Sequence, residues 1–363
     1  MKGLLVALAS LVALAGCATL PQPAGDDQNQ PSAGAGPYRA LIDGELGSSR
    51  VAPDGLDDSR DYGRDIAVLD ADGDPSTLGV VAYVAAGVSM NGMDPTPTTP
   101  TRSIARYTAL DGRTFAFASS VVLTPDAPWE GSVLASPAAV RVGGEIFLYY
   151  AAAGGIGLAK SPDGNAFTKV PGPVLGPAAG GWEQGAAPAS PGVVVLPDGS
   201  LRMFYEVSTG SGATASTSIG EAESADGVSW TRLGDGPALS PGAPGDGGGD
   251  TWDTASVGSP FPQLAVSAAG RTILQLLYGA RDATGTLTIA LAARYGTDGP
   301  LVRSVSPVFG TGTTLAPREP CAVAFGGFAL LYVTQSSSST DTHPVVAVGV
   351  TPATAVLPPP DPM

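Results

Sequence analysis

An all-β fold is the class the sequence predicts, and three observations lead to it. Helical periodicity is nearly absent: runs such as EIFLYYAAA (145–153) and TILQLLYGAR (272–281) are short and broken by Gly, Pro and Asp, as antiparallel strands and their turns are. The 50 Gly and 34 Pro fall mostly in those breaks, which implies many tight connections. The stretch IGLAKSPDGNAF (156–167) returns as IGEAESADGVSW (219–230), and a chain that repeats one supersecondary unit buries each copy against its neighbours.

The elements follow in chain order. Lys2 precedes an apolar run from Gly3 to Ala15 that closes on Leu14-Ala15-Gly16-Cys17. The run is too short to span a bilayer, and a basic start, apolar middle and small-residue end describe a secretion signal over residues 1–16. LAGC resembles the bacterial lipoprotein signal, which implies cleavage before Cys17 and lipidation of its thiol. Several acyl chains anchor stably, so the expectation is a protein lipid-anchored to a membrane at the cell envelope. By the same resemblance, Ala18 after the Cys directs it to the outer membrane. Residues 17–37, including ATLPQPAGDDQNQPSAGAGP, read as a flexible tether, and residues 352–363, ending LPPPDPM, as a frayed tail.

Between them, residues 38–351 hold the repeats. One copy starts at Trp129-Glu130, meets Ser136-Pro137 and runs through EIFLYYAAA to the Asp163-Gly164 turn and Phe167. The next starts at Trp182-Glu183, meets Ser190-Pro191 and runs through LRMFYEVS to Asp226-Gly227 and Trp230. A third starts at Trp252-Asp253 and meets Ser259-Pro260, while weaker copies cover Asp65 to about Pro125 and Arg318-Glu319-Pro320 to about Val350. Four strands in most copies make each a propeller blade, giving a five-bladed β-propeller with blades near 65–125, 129–177, 182–241, 252–310 and 318–350. The last copy lacks a strand, which the segment near YRALI (38–42) is expected to supply. Phe167 and Trp230, with Phe115 after Asp111-Gly112, are expected to pack between blades.

Composition narrows the partners. The formal net charge of −15 argues against nucleic acid, whose phosphates need Lys and Arg; acidity of this kind serves solubility. With Cys17 lipidated, only Cys321 remains, so no intramolecular disulfide is expected, and Cys321 reads as a small buried hydrophobe. No phosphate-binding glycine loop or His/Cys metal cluster appears, so neither cofactor nor metal is expected. His343 is the single histidine and lacks a nucleophile motif. Asp70-Ala71-Asp72-Gly73-Asp74 has the wrong spacing for a calcium loop and reads as a solvated hairpin turn; the acidic loop 244–250 has no ligand spacing either.

The W-[E/D]…SP starts, the LYY and MFY strands and the DG turns together resemble the five-bladed propellers of the family 43 glycoside hydrolases and their arabinanase, levansucrase and invertase relatives. The resemblance covers roughly residues 60–350 and implies three carboxylates, from the first three blades, acting as base, pKa-tuning group and acid. Asp65 fits the base. The acid implied directly before the proline of the second blade is Ser136 here, and the one implied two residues before the third proline is Ala189. Glycoside cleavage needs one protonated and one ionised carboxyl, so another acid must donate the proton, or the propeller is non-catalytic and binds glycan or a protein partner or serves as a structural module.

Glu183, Glu206 and Glu319 are the candidate acids. Trp129, Glu130, Trp182, Trp252, Asp253 and Arg318 are candidate ligand contacts, since indoles stack on sugar rings and carboxylates bond their hydroxyls. Recurrence at every blade favours the plainer reading of the Trp-acid pairs, as inter-blade wedges and turn acceptors. Arg318-Glu319-Pro320 breaks the Ser-Pro rule, where function is expected, or closes the last blade as an ion pair. Glu206 stands where the preceding repeat has Ala152, and either lines the channel or faces solvent.

Overall fold

The structure, a computed structural model, describes residues 38–40, 50–51, 64–73, 78–86, 102–112, 115–210, 216–242, 252–266, 270–304, 306–310, 316–325, 328–336 and 345–352. The signal, Cys17, the tether, Asp74, the loop 244–250, His343 and all but the first residue of the tail lie outside them.

Two short strands open the fold, β1 (Arg39–Ala40) and β2 (Arg50–Val51). Four antiparallel four-stranded sheets follow. The first blade is β3 (Arg64–Asp70), β4 (Val80–Ala86), β5 (Ser103–Ala109) and β6 (Ala116–Leu123). The second is β7 (Ala135–Val142), β8 (Glu145–Ala152), β9 (Gly155–Ser161) and β10 (Thr168–Lys169). The third is β11 (Ala189–Val195), β12 (Leu201–Thr209), β13 (Ser216–Ser224) and β14 (Thr231–Arg232). The fourth is β15 (Ser256–Val266), β16 (Thr272–Arg281), β17 (Leu287–Tyr295) and β18 (Val302–Arg303).

The molecule is thus an all-β propeller with four blades of the expected kind rather than five. The last repeat contributes three strands only, β19 (Ala316–Phe325), β20 (Phe328–Ser336) and β21 (Val345–Pro352). Its sheet takes both β1 and β2 onto β21 and has five strands. The N-terminal segment does supply the missing strand, because β21 would otherwise present an unpaired edge.

The core lies between the sheets. Separate apolar clusters join the first blade to the second, around Tyr83 and Leu148, and the second to the third, around Tyr149 and Met203. Others join the third to the fourth around Phe204 and Leu276, the fourth to the last sheet around Leu291 and Leu331, and that sheet to the first around Tyr107 and Leu330. A fully buried Leu or Phe contributes roughly 1.5–3 kcal/mol, and no sheet can bury both faces alone.

The repeated turns latch these seams. In SPDG, Gly164 adopts φ +75 and its amide donates to Ser161 Oγ at 2.8 Å, while Asp163 Oδ1 accepts from the Asn165 amide at 2.9 Å. The Gly164 carbonyl then accepts the Tyr83 hydroxyl of the preceding blade at 3.0 Å, and Phe167 packs edge-on against the Tyr83 ring. Tyr149 repeats this with Gly227 and Trp230, and Tyr332 with Gly112 and Phe115. The aromatics after the DG turns therefore lie between blades, as expected.

Candidate functional site

The innermost strands β3, β7, β11, β15 and β19 pack side by side in a closed cycle. Each carries one extra residue against its partner strand, so the ladder is bulged between Arg64 and Ile66, Ala135 and Ala138, Ala189 and Gly192, Gly258 and Phe261, and Arg318 and Cys321. At each bulge one residue is left-handed: Asp65, Ser136, Ser190, Ser259 and Glu319, with φ of 56, 44, 44, 48 and 54°. Non-Gly residues pay about 1–2 kcal/mol for that conformation, and bulges are where strands re-aim a side chain. Proline follows four of the five, at a point where the ladder has no use for its missing N–H.

These five residues line one narrow axial cavity of about 50 Å³. Asp65 Oδ2 accepts from the Ser136 amide at 2.9 Å and the Ser136 hydroxyl at 3.4 Å, and Ser136 Oγ meets Ser190 Oγ at 3.3 Å. Asp65 Oδ1 is buried with no partner among the described residues. Cys321 also lines this cavity; burial pushes its thiol up to about 12, so it stays a neutral, packed group.

Beside it opens a wider cavity of about 310 Å³, sharing Ser190, Ser259 and Glu319 with the first and adding Glu206, Arg281 and Arg318. Glu206, on β12, is the cross-strand partner of Ala189, the position where the resemblance implied an acid. Its Oε2 accepts the Ser259 amide at 3.0 Å. Gly258 makes room, since a Cβ there would lie 2.2 Å from Oε2. Burial raises the Glu206 carboxyl above the ordinary range; the Asp65 charge adds to this, while the Ser259 amide and Arg318 oppose it. The ladder also corrects the alignment of Glu206: its equivalents are Ala85, Ala151, Gly279 and Thr334, each paired to the residue just before a bulge. Ala152 is one residue out of register.

Of the sequence candidates, Asp65, Glu206, Glu319 and Arg318 come together here. Glu183 and the Trp-acid pairs do not. Glu183 Oε1 bridges the Tyr205 hydroxyl and Arg232 Nε, both at 2.9 Å. Glu130 likewise bridges Tyr150 and Lys169, and Asp253 bridges Tyr278 and Arg303. Each acid ties the second strand of its blade to the fourth, and none lines either axial cavity. Trp129 stacks on Tyr150, Trp252 tilts against Tyr278 and Trp182 packs on the cluster of the second and third blades. The pairs are architectural because a buried carboxylate needs both a cation and donors.

Ser136, Ser190 and Ser259 were missed as site residues. The Ser-Pro recurrence was readable, but only the left-handed bulge turns it toward the axis. Asp70 Oδ1 accepts the amides of Asp72 and Gly73, as a hairpin turn requires, and among the described residues no three His, Cys, Asp or Glu side chains gather as a metal-binding group.

No family model and no curated protein matches the chain in sequence. Solved structures do match in shape. A glycoside hydrolase superposes with a TM-score of 0.61 at 11% identity, covering 86% of this chain and 94% of its own. A β-1,2-mannobiose phosphorylase from Listeria innocua, in complex with β-1,2-mannobiose, gives 0.60 at 13%, with coverages of 84% and 95%. A thermostable family-43 glycoside hydrolase gives 0.59 at 13%, with coverages of 86% and 98%. The chain therefore shares the propeller fold of these proteins, and at such identities the likeness is one of fold.

Proposed function

We propose that the protein binds or processes glycans in its axial cavities while held at the cell envelope, at the outer membrane, by a lipid on Cys17. In this reading the five-stranded sheet is the fifth blade, closed by β1 and β2. One observation carries the proposal. Around the cycle of bulges, three positions are Ser and two are acids, Asp65 and Glu319, and both acids line the same narrow cavity. A repeat preserves architecture first, so charged departures that converge on a concavity mark a ligand site. Carboxylates beside serine hydroxyls suit the hydroxyl groups of a sugar, and the glycoside-hydrolase-type fold supports the same ligand class.

The second reading, a propeller that binds a sugar or a protein partner without chemistry, is favoured by Ser136 and Ala189, which stand where the resemblance implied acids. Calorimetric titration of the full chain in mild detergent with xylo-, arabino- and manno-oligosaccharides tests the ligand class. Binding by one of them, weakened at least about tenfold (about 1.4 kcal/mol) in Asp65→Asn and Glu319→Gln, is expected. Silence with every sugar overturns the glycan reading. The anchor is tested separately: Cys17→Ala should abolish palmitate incorporation and release the protein from the membrane fraction.

A further inference from the structure

We propose that Glu206 is the proton donor of a glycoside-cleaving reaction carried out in the axial cavities. This deepens the glycan reading above and rests on it.

The architecture does not need a carboxyl at Glu206. Its contact with the protein is the amide of Ser259, the left-handed residue of the next blade. At the equivalent position of the last sheet, Thr334 does the same for the first blade: its Oγ1 accepts the Asp65 amide at 3.0 Å. A neutral hydroxyl therefore satisfies the bulge amide of a neighbouring blade, and Ala85, Ala151 and Gly279 stand at the other equivalent positions. The carboxyl exceeds what the architecture asks, and desolvating a carboxyl is costly. The fold nonetheless accommodates it by keeping Gly258 bare, where a Cβ would collide with the Glu206 carboxyl.

The surroundings then assign the role. Glu206 lines the 310 Å³ cavity and is held toward its neutral form by burial, with Asp65 acting in the same direction. Asp65 keeps Oδ2 on Ser136 and leaves buried Oδ1 without a partner. Two carboxyls in adjoining cavities, one biased toward its protonated form and the other with an open acceptor oxygen, are what acid-base cleavage of a glycoside requires. In the step, the Glu206 proton passes to the glycosidic oxygen as the bond to the anomeric carbon breaks and its electron pair leaves with that oxygen. Water forms the new bond to the anomeric carbon and gives its proton to Asp65. Solvent then returns Glu206 and Asp65 to their starting states.

The test compares leaving groups. Phenyl and 2,4-dinitrophenyl glycosides of β-D-xylose, α-L-arabinofuranose and β-D-mannose are offered to the full chain in detergent and to its Glu206→Gln and Glu206→Thr variants. Both variants keep an acceptor for the Ser259 amide and should fold as the parent does. Kcat on the phenyl glycosides should fall by about 10²–10⁴-fold. On the dinitrophenyl glycosides, whose leaving group needs no proton, it should fall less than about tenfold, and the alkaline limb of the phenyl pH profile should disappear. Equal losses on both leaving groups, no loss on either, or a wild-type protein that binds sugar yet turns over no probe would each overturn the proposal while leaving glycan binding intact. If the titrations detect no sugar, the glycan reading falls and this proposal with it.

Discussion

Glu183→Ala separates the architectural acids from the axial ones. The side chain is 4% exposed and its Oε1 holds both the Tyr205 hydroxyl and Arg232 Nε. Tyr205 is 1% exposed, so its hydroxyl loses its acceptor with no access to water, at about 1–3 kcal/mol. Arg232 keeps the Gly176 carbonyl but loses its carboxylate. Removing one partner of a buried charge pair costs about 3–5 kcal/mol, and the lower part of that range applies because Arg232 is 29% exposed. At roughly 2–3 °C per kcal/mol for a domain of this size, Tm by scanning calorimetry should fall roughly 6–12 °C, with sugar affinity unchanged below the transition. Glu206→Thr should move Tm by less than about 2 °C, since Thr334 already fills the equivalent position. An unchanged Tm in Glu183→Ala together with lost sugar binding would refute the division of the acids.

Two further outcomes follow from the seams and triads. Glu130 is buried, which raises its pKa, but Lys169, the Asp126 and Ala127 amides and Tyr150 outweigh this and hold it at about 2, below its ordinary 4.5. A depressed carboxylate stabilises above its unfolded pKa, so at most about 3 kcal/mol is present above pH 4.5 and lost as pH falls toward 2. Denaturant titrations at pH 3 and 6 should show a smaller acid loss in Glu130→Gln than in wild type. Tyr149→Phe removes the hydroxyl that reaches Gly227 across a blade seam, but Trp230 Nε1 still donates to that carbonyl, so denaturant titration should show a cost of only about 1 kcal/mol.

Much of this was legible because repetition is legible. The DG turns, the aromatics after them and the borrowed N-terminal strand follow from pattern alone: Gly164, Gly227 and Gly112 each need a donor from the neighbouring blade, and a three-strand repeat leaves an edge. Glu319 was visible as a break in the Ser-Pro rule. The position of Asp65 in the same ring was less so, because Ile66 stands where the other copies have Pro. Glu206 could be suspected but not placed. Its orientation depends on a one-residue bulge in the partner strand β11, and a bulge shifts which residues face each other without leaving a composition signal. The same shift explains the alignment with Ala152 instead of Ala151.

A break in the repeat does not by itself make a site, and the third blade shows why, since it contains two. Phe204 stands where Tyr83, Tyr149 and Tyr332 carry their latching hydroxyls, so the turn at Asp298-Gly299 lacks a tyrosine. Arg294 takes over: its Nη1 donates to the Gly299 carbonyl at 2.8 Å and its guanidinium lies over the Phe204 ring. That brings a buried cation into the seam, and Glu221 answers it, bonding both Arg294 and Arg202. Arg294 compensates for the lost hydroxyl and Glu221 for the charge that Arg294 brings, and neither lines an axial cavity. Glu206, by contrast, compensates for nothing and lines the wider axial cavity. Glu221→Gln should therefore cost about 3–5 kcal/mol of stability, read by denaturant titration, and leave sugar affinity untouched at temperatures where the variant is folded. A loss of affinity there would mean that the cluster belongs to the site and that lining the axial cavities is the wrong criterion for telling the two departures apart.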